Sequence, residues 1–112
     1  MENVRRHKAF LVAVATTQRP KDGRELIKSA KLKQLDAVCE ILLNIVRGSV
    51  VLTDNLKRKA ATYKTILRKL VKRCLKKVVR KQLFLKYFTI VRRLIVAALP
   101  VIGITLSALQ FA

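Results

Sequence analysis

Three features of the sequence predict an all-α fold, a small helical bundle with a long basic amphipathic helix and an apolar C-terminal tail. At about 100° per residue, Leu32, Leu35, Val38, Cys39, Leu42, Leu43, Ile45 and Val46 fall on one broad face, with Lys33, Asp36, Glu40, Asn44 and Arg47 opposite. A second apolar set, Leu56, Ala60, Tyr63, Leu67, Leu70, Val71, Cys74 and Val78, shares an arc of about 100° on a helical wheel. Between the two sets lie a stop and a start signal. Gly48 stands where a left-handed C-terminal cap would end the first helix, and Thr53 or Asp54 can cap the next.

Taken from the N-terminus, Val4 to Ala15 can form a short helix, although Val12 and Val14 lower its propensity. Arg5, Arg6 and Lys8 ahead of the apolar run Ala9–Ala15 have the look of a secretory leader. The run is short for one and Glu2 is out of character, so a first helix is expected instead. Arg19 to Gly23 reads as a turn. Asp22 with Glu25 has capping-box spacing and would open about two helical turns through Leu26 and Ile27 to Ala30. The helix from Leu32 follows.

From Asp54 to about Arg80 one helix is expected, its cations lying off the apolar arc in two rows four residues apart. Lys64, Arg68, Lys72, Lys76 and Arg80 form one row; Lys69, Arg73 and Lys77 form the other, and Lys81 begins to enter the arc. Ile66, Leu75 and Val79 fall outside the pattern. Residues 82–93 mix apolar, aromatic and basic side chains, and Leu94 to Ala112 carries no charge but contains Pro100 and Gly103. The expected organisation is therefore 1–53 as a core-forming half, 54–81 as the basic helix, and 82–112 as a basic-aromatic segment with an apolar tail.

The charge balance restricts function more than fold. The chain of 112 residues has 25 Lys+Arg against 6 Asp+Glu, a net charge of +19. All six acids lie at or before Asp54, and every charged residue after it is Lys or Arg. Solvated helices usually alternate sign to gain i,i+4 pairs, whereas like charges at that spacing destabilise an unpartnered helix. A polyanion would neutralise them. Nucleic acid, with DNA favoured, is the first expected partner and anionic lipid the second. Lys64, Arg68, Lys69, Lys72, Arg73, Lys76, Lys77 and Arg80 are the candidate phosphate contacts, acting as a field without base-specific roles. With 52% apolar residues, the chain is not a simple disordered basic tail.

Other chemistries find little purchase. His7 is the only histidine; no Ser/His/Asp set, phosphate loop or dinucleotide fingerprint occurs, and the acids are scattered. No enzyme activity and no cofactor is expected. Zinc needs about four ligands, which Cys39, Cys74 and His7 cannot supply, so no metal site is expected. Both cysteines sit among apolar residues, where buried free thiols are the default. The uncharged tail from Leu94 is marginally long enough to span a bilayer. Three readings stand side by side for it: activity at or insertion in a membrane, packing against the helical domain or another chain, and disorder or removal.

Part of the sequence resembles a known family. Leu26 to Ala30, Gln34 to Ile41, Asn44 to Val46 and Gly48 resemble a small basic protein of Polinton and adintovirus elements, and Leu52-Thr53, Tyr63-Lys64 and Leu67-Arg68 continue the likeness. Separately, Leu99 to Gly103 and Ser107 to Gln110, after a basic region, resemble the C-terminal end of the adenovirus core protein X (mu) precursor. That precursor's middle is rich in arginine and glycine, whereas this chain has a Lys-rich amphipathic segment and no paired glycines. The resemblance implies a virion core protein that condenses double-stranded DNA, placed in a virion or host nucleus. The alternative is a membrane-associated protein, either tail-anchored or bound to anionic lipid. Contact with a capsid through 94–112, and self-association, are further partners to consider.

Overall fold

The computed structural model describes residues 2–72 and 76–104. Among them are eight helices and no strand: α1 (Glu2–Arg6), α2 (Lys8–Thr16), α3 (Pro20–Lys28), α4 (Leu32–Val46), α5 (Asp54–Thr62), α6 (Lys64–Leu70), α7 (Lys77–Lys86) and α8 (Phe88–Val101). Three of the seven junctions are single residues. His7, Tyr63 and Tyr87 have φ/ψ of −107°/26°, −99°/15° and −107°/28°, so ψ is far from its helical value at each. Each still takes part in the i→i−4 ladder: Tyr87 N–H donates to Leu83 O at 3.0 Å, and Val91 N–H donates to Tyr87 O at 3.1 Å. The eight helices are thus five rods, of which 2–16, 54–70 and 77–101 are kinked. No proline or glycine sits at any kink.

Helix α4 is the centre of the bundle, packed by α1, α2, α6 and α8. Leu35, Val38, Cys39, Leu42 and Ile45 are buried as the periodicity predicts, and Ala37 and Ile41 are fully buried as well. The apolar surface therefore extends beyond one face, which is what a helix surrounded by neighbours requires. Leu32, expected on the core face, is 48% exposed because it occupies the first turn, beyond the reach of the neighbouring rods. The helix opens with Gln34 Oε1 accepting from the Lys31 N–H at 2.7 Å. It closes on Gly48 at φ 77°, where the Gly48 N–H donates to Ile45 O at 3.0 Å and the Ser49 N–H to Asn44 O at 2.9 Å. That bond pair is a Schellman cap, and it needs the left-handed residue that glycine supplies without strain.

Several sequence expectations are corrected. Arg19 to Gly23 is no separate turn: Pro20 is the first residue of α3, where its missing N–H costs nothing, and Gly23 lies inside the helix. Asp22 consequently sits in the first turn and is not its cap. The basic helix expected from Asp54 to Arg80 starts as foreseen, with Thr53 Oγ1 accepting from the Leu56 N–H at 3.4 Å, but it stops at Leu70. A new helix starts at Lys77 on a different phase. Val78, expected in the core, is 67% exposed, and Arg80 and Phe84 are the buried positions of α7. Neither glycine nor proline marks this break. Cys74 lies outside the described residues.

The C-terminal segment as far as Ile104 belongs to the core. Phe88, Val91, Leu94, Ile95, Ala98 and Leu99 of α8 are buried against α2, α4 and α7. A second Schellman cap ends α8, with Gly103 at φ 87° and the Ile104 N–H donating to Leu99 O at 2.8 Å. Leu94, Ile95, Ala98, Leu99 and Ile104 therefore pack on their own chain. Residues 105–112, including Ser107 to Gln110, lie outside the described residues. Among the described residues no helix is long and apolar enough to cross a membrane. The radius of gyration is 12.9 Å, against about 13 Å expected for one compact domain of this length, so the three expected segments share one core.

Candidate nucleic-acid interface

Helix α6 explains how the chain can be greasy and basic at once. Leu67 and Leu70 are buried against α4, and the Cys39 thiol reaches the Leu70 carbonyl at 3.3 Å. With that face spent, Lys64, Arg68 and Lys69 are forced outward and are exposed. Lys72 follows the end of α6, and Lys76 and Lys77 open α7; all three are exposed. Six of the eight expected phosphate contacts thus reach solvent. Arg73 lies outside the described residues. Because the helix ends at Leu70, the rows do not continue as one i,i+4 ladder beyond Arg68 and Lys69, which shortens the run of like-charge neighbours.

Arg80 is the exception, and its reason is physical. It is 4% exposed. Its Nη1 donates to Asp36 Oδ1 at 2.8 Å and its Nη2 to the Lys72 carbonyl at 3.0 Å. The guanidinium ties the start of α7 to α4 and to the chain leaving α6, so it is a strut across the break and not a phosphate contact. Lys81 serves similarly, its Nζ donating to the Lys28 carbonyl at 2.6 Å at the C-terminal end of α3, where a cation suits the helix dipole.

Acids do little to mask the remaining charge. Arg6 pairs with Glu2 and Lys28 with Glu25, both exposed pairs of small energetic weight. Burial pushes the Cys39 thiol up to about 11, with nearby Arg80 opposing the shift and Asp36 adding to it. It is therefore protonated and unreactive at neutral pH. Among the described residues no three His, Cys, Asp or Glu side chains gather as metal ligands.

A second cationic region was not singled out by the sequence. Tyr63 and Tyr87, the residues at two kinks, meet edge to face with ring centroids 5.9 Å apart at 65°. Where α5 crosses α8 beside this pair, a cleft of about 480 Å³ opens, lined by Lys59, Lys86 and Arg93 together with both tyrosines. An adjoining cleft of about 410 Å³ shares Lys59 and Arg93 and adds Arg92. No acid lines either one. The Arg92-Arg93 pair and the aromatic run from Phe84 to Phe88 were visible signals, but Lys59 lies more than twenty residues upstream and only the crossing joins them. No protein-family model, curated protein or solved structure matches this chain.

Proposed function

We propose that this protein is a non-catalytic, sequence-independent binder of double-stranded DNA that condenses the polymer by phosphate neutralisation. The observation that carries the reading is the exposure of Lys64, Arg68, Lys69, Lys72, Lys76 and Lys77 around one helix break, in a half of the chain with no acid. Point charges on flexible stems suit phosphate contact without base readout. A compact core holds them in place, and the net charge of +19 drives association. The resemblance to small basic proteins of Polinton and adintovirus elements, and to the adenovirus core protein X precursor, favours a genome-packaging role in a virion or host nucleus.

Fluorescence anisotropy with unrelated duplexes over a salt series tests this. Six neutralised phosphates give a slope of log K against log salt near about −5, at about −0.9 per phosphate. Reversing Lys64, Lys69, Lys72 and Lys77 to Glu abolishes binding by a protein that still melts normally. A slope shallower than about −2, or strong preference among duplexes, refutes the proposal. Binding to anionic vesicles but not to duplex would replace DNA with a membrane surface as the partner.

A further inference from the structure

We infer that the double cleft where α5 crosses α8 is a binding site for the phosphate chain of a compact polyphosphate, of the size and charge of a nucleoside triphosphate or inorganic tripolyphosphate. The inference is independent of the duplex reading, because it uses other residues on other helices.

Four cations line the two adjoining clefts: Lys59 from α5 and Arg93 from α8 line both, Lys86 from α7 lines the first, and Arg92 from α8 lines the second. None of them is in an ion pair among the described residues, and no carboxylate lines the cleft. A concavity lined by charge of one sign focuses the field into itself and selects a counter-charge small enough to enter. A duplex is too wide to enter a space of about 480 Å³ and could lend it one or two singly charged diesters. A triphosphate chain carries about four negative charges in one compact unit, against the four cations distributed over the two adjoining clefts.

The lining also supplies neutral donors. Thr89, Tyr63 and Tyr87 line the first cleft, and the hydroxyls of the two tyrosines make no hydrogen bond within the described protein, whereas the Thr62 hydroxyl is spent on the Arg58 carbonyl at 3.1 Å. Arginine forks bind phosphate oxygens in pairs. Arg92 already gives one Nη to the Thr17 carbonyl at 2.8 Å, which braces its guanidinium at the cleft wall. Lys86 Nζ stands 5.6 Å from the Tyr87 ring centroid, so the cation and the ring report on each other.

Both tyrosines sit at kinks, Tyr63 between α5 and α6 and Tyr87 between α7 and α8, and both line the first cleft.

The chain provides its own probe, since its only two tyrosines line the cleft and it has no tryptophan. Titrating the full chain with inorganic tripolyphosphate, ATP and orthophosphate while reading tyrosine emission should give a saturable, one-to-one change for the first two, with orthophosphate at least about tenfold weaker. Equal affinity for tripolyphosphate and ATP assigns binding to the phosphate chain alone; tighter ATP adds base contact with the tyrosines. Lys59→Ala and Arg93→Ala should each weaken tripolyphosphate binding about tenfold, and the control Lys64→Ala/Lys69→Ala should leave it within about twofold. Calorimetry on the same variants checks stoichiometry. A non-saturating change, several equivalent sites, or equal loss in the control would overturn the inference. The duplex-binding slope of Arg93→Ala is read in parallel, so that failure of one reading is separable from failure of the other.

Discussion

Replacing either end of the Arg80–Asp36 pair should have unequal consequences, and the inequality follows from their burial. The Arg80 side chain is 4% exposed and that of Asp36 is 44% exposed. In Asp36→Ala, the buried guanidinium keeps only the Lys72 carbonyl at 3.0 Å. Removing one partner of a buried pair costs about 3–5 kcal/mol, and the water already reaching Asp36 brings this to about 2–3 kcal/mol. In Arg80→Met the stem's volume is kept and the charge is removed, together with an Nε that is buried with no partner in the described structure. Asp36 turns to water, so the main loss is one carbonyl hydrogen bond, about 1 kcal/mol. At roughly 4–6 °C per kcal/mol for a domain of this size, Asp36→Ala should lower Tm by about 10–15 °C and Arg80→Met by about 5 °C. Thermal melts followed by circular dichroism measure both. The DNA salt slope should be unchanged in Arg80→Met, while Lys76→Ala or Lys77→Ala should each reduce its magnitude by about 0.9. A larger melting loss for Arg80→Met than for Asp36→Ala would refute the strut. So would a slope reduced by about one in an Arg80→Met protein that melts like the parent.

Three other outcomes are expected. In Gly23→Ala the new Cβ would lie 2.3 Å from Phe88 Cζ and 2.9 Å from Thr17 Oγ1, and Phe88 is only 2% exposed. Overpacking of about 1–3 kcal/mol should outweigh the helix-propensity gain of about 1 kcal/mol, lowering the urea midpoint, and the penalty should vanish in a Phe88→Leu background. The raised Cys39 thiol contributes stability that is complete below its unfolded value of 9.0 and is lost as pH rises towards about 11. The difference in unfolding free energy between parent and Cys39→Ala should therefore shrink by about 2–3 kcal/mol from pH 8 to pH 11, and a constant difference would contradict the burial argument. Ending the chain after Arg93 removes the buried Leu94, Ile95, Ala98 and Leu99, each at 0% exposure. At about 1.5–3 kcal/mol for each large apolar side chain, the loss is comparable with a whole domain's stability, so the truncated chain should lack a cooperative melt; a normal melt would show the tail to be dispensable.

What the sequence determined by itself is local. The helical class, the span of α4, its Gly48 cap and the Thr53 start all follow from spacing and from residues adjacent to the structure they specify. The outward placement of Lys64, Arg68 and Lys69 was legible for the same reason, since Leu67 and Leu70 point the opposite way on the same turns. The tertiary structure alone decided features whose cause is far away in the chain. Periodicity cannot say whether an apolar arc stays in phase across a break, so nothing near Arg80 signalled that it would turn inward to Asp36, 44 positions upstream. An uncharged run such as Leu94 to Ile104 satisfies protein and lipid equally well by composition; only the empty flank of α4 and α2 made it core. Gly23 looked like a turn until the Phe88 ring was seen to require its missing side chain. The cationic cleft needs Lys59 and Arg93 brought together by a helix crossing, and no one-dimensional pattern encodes a crossing.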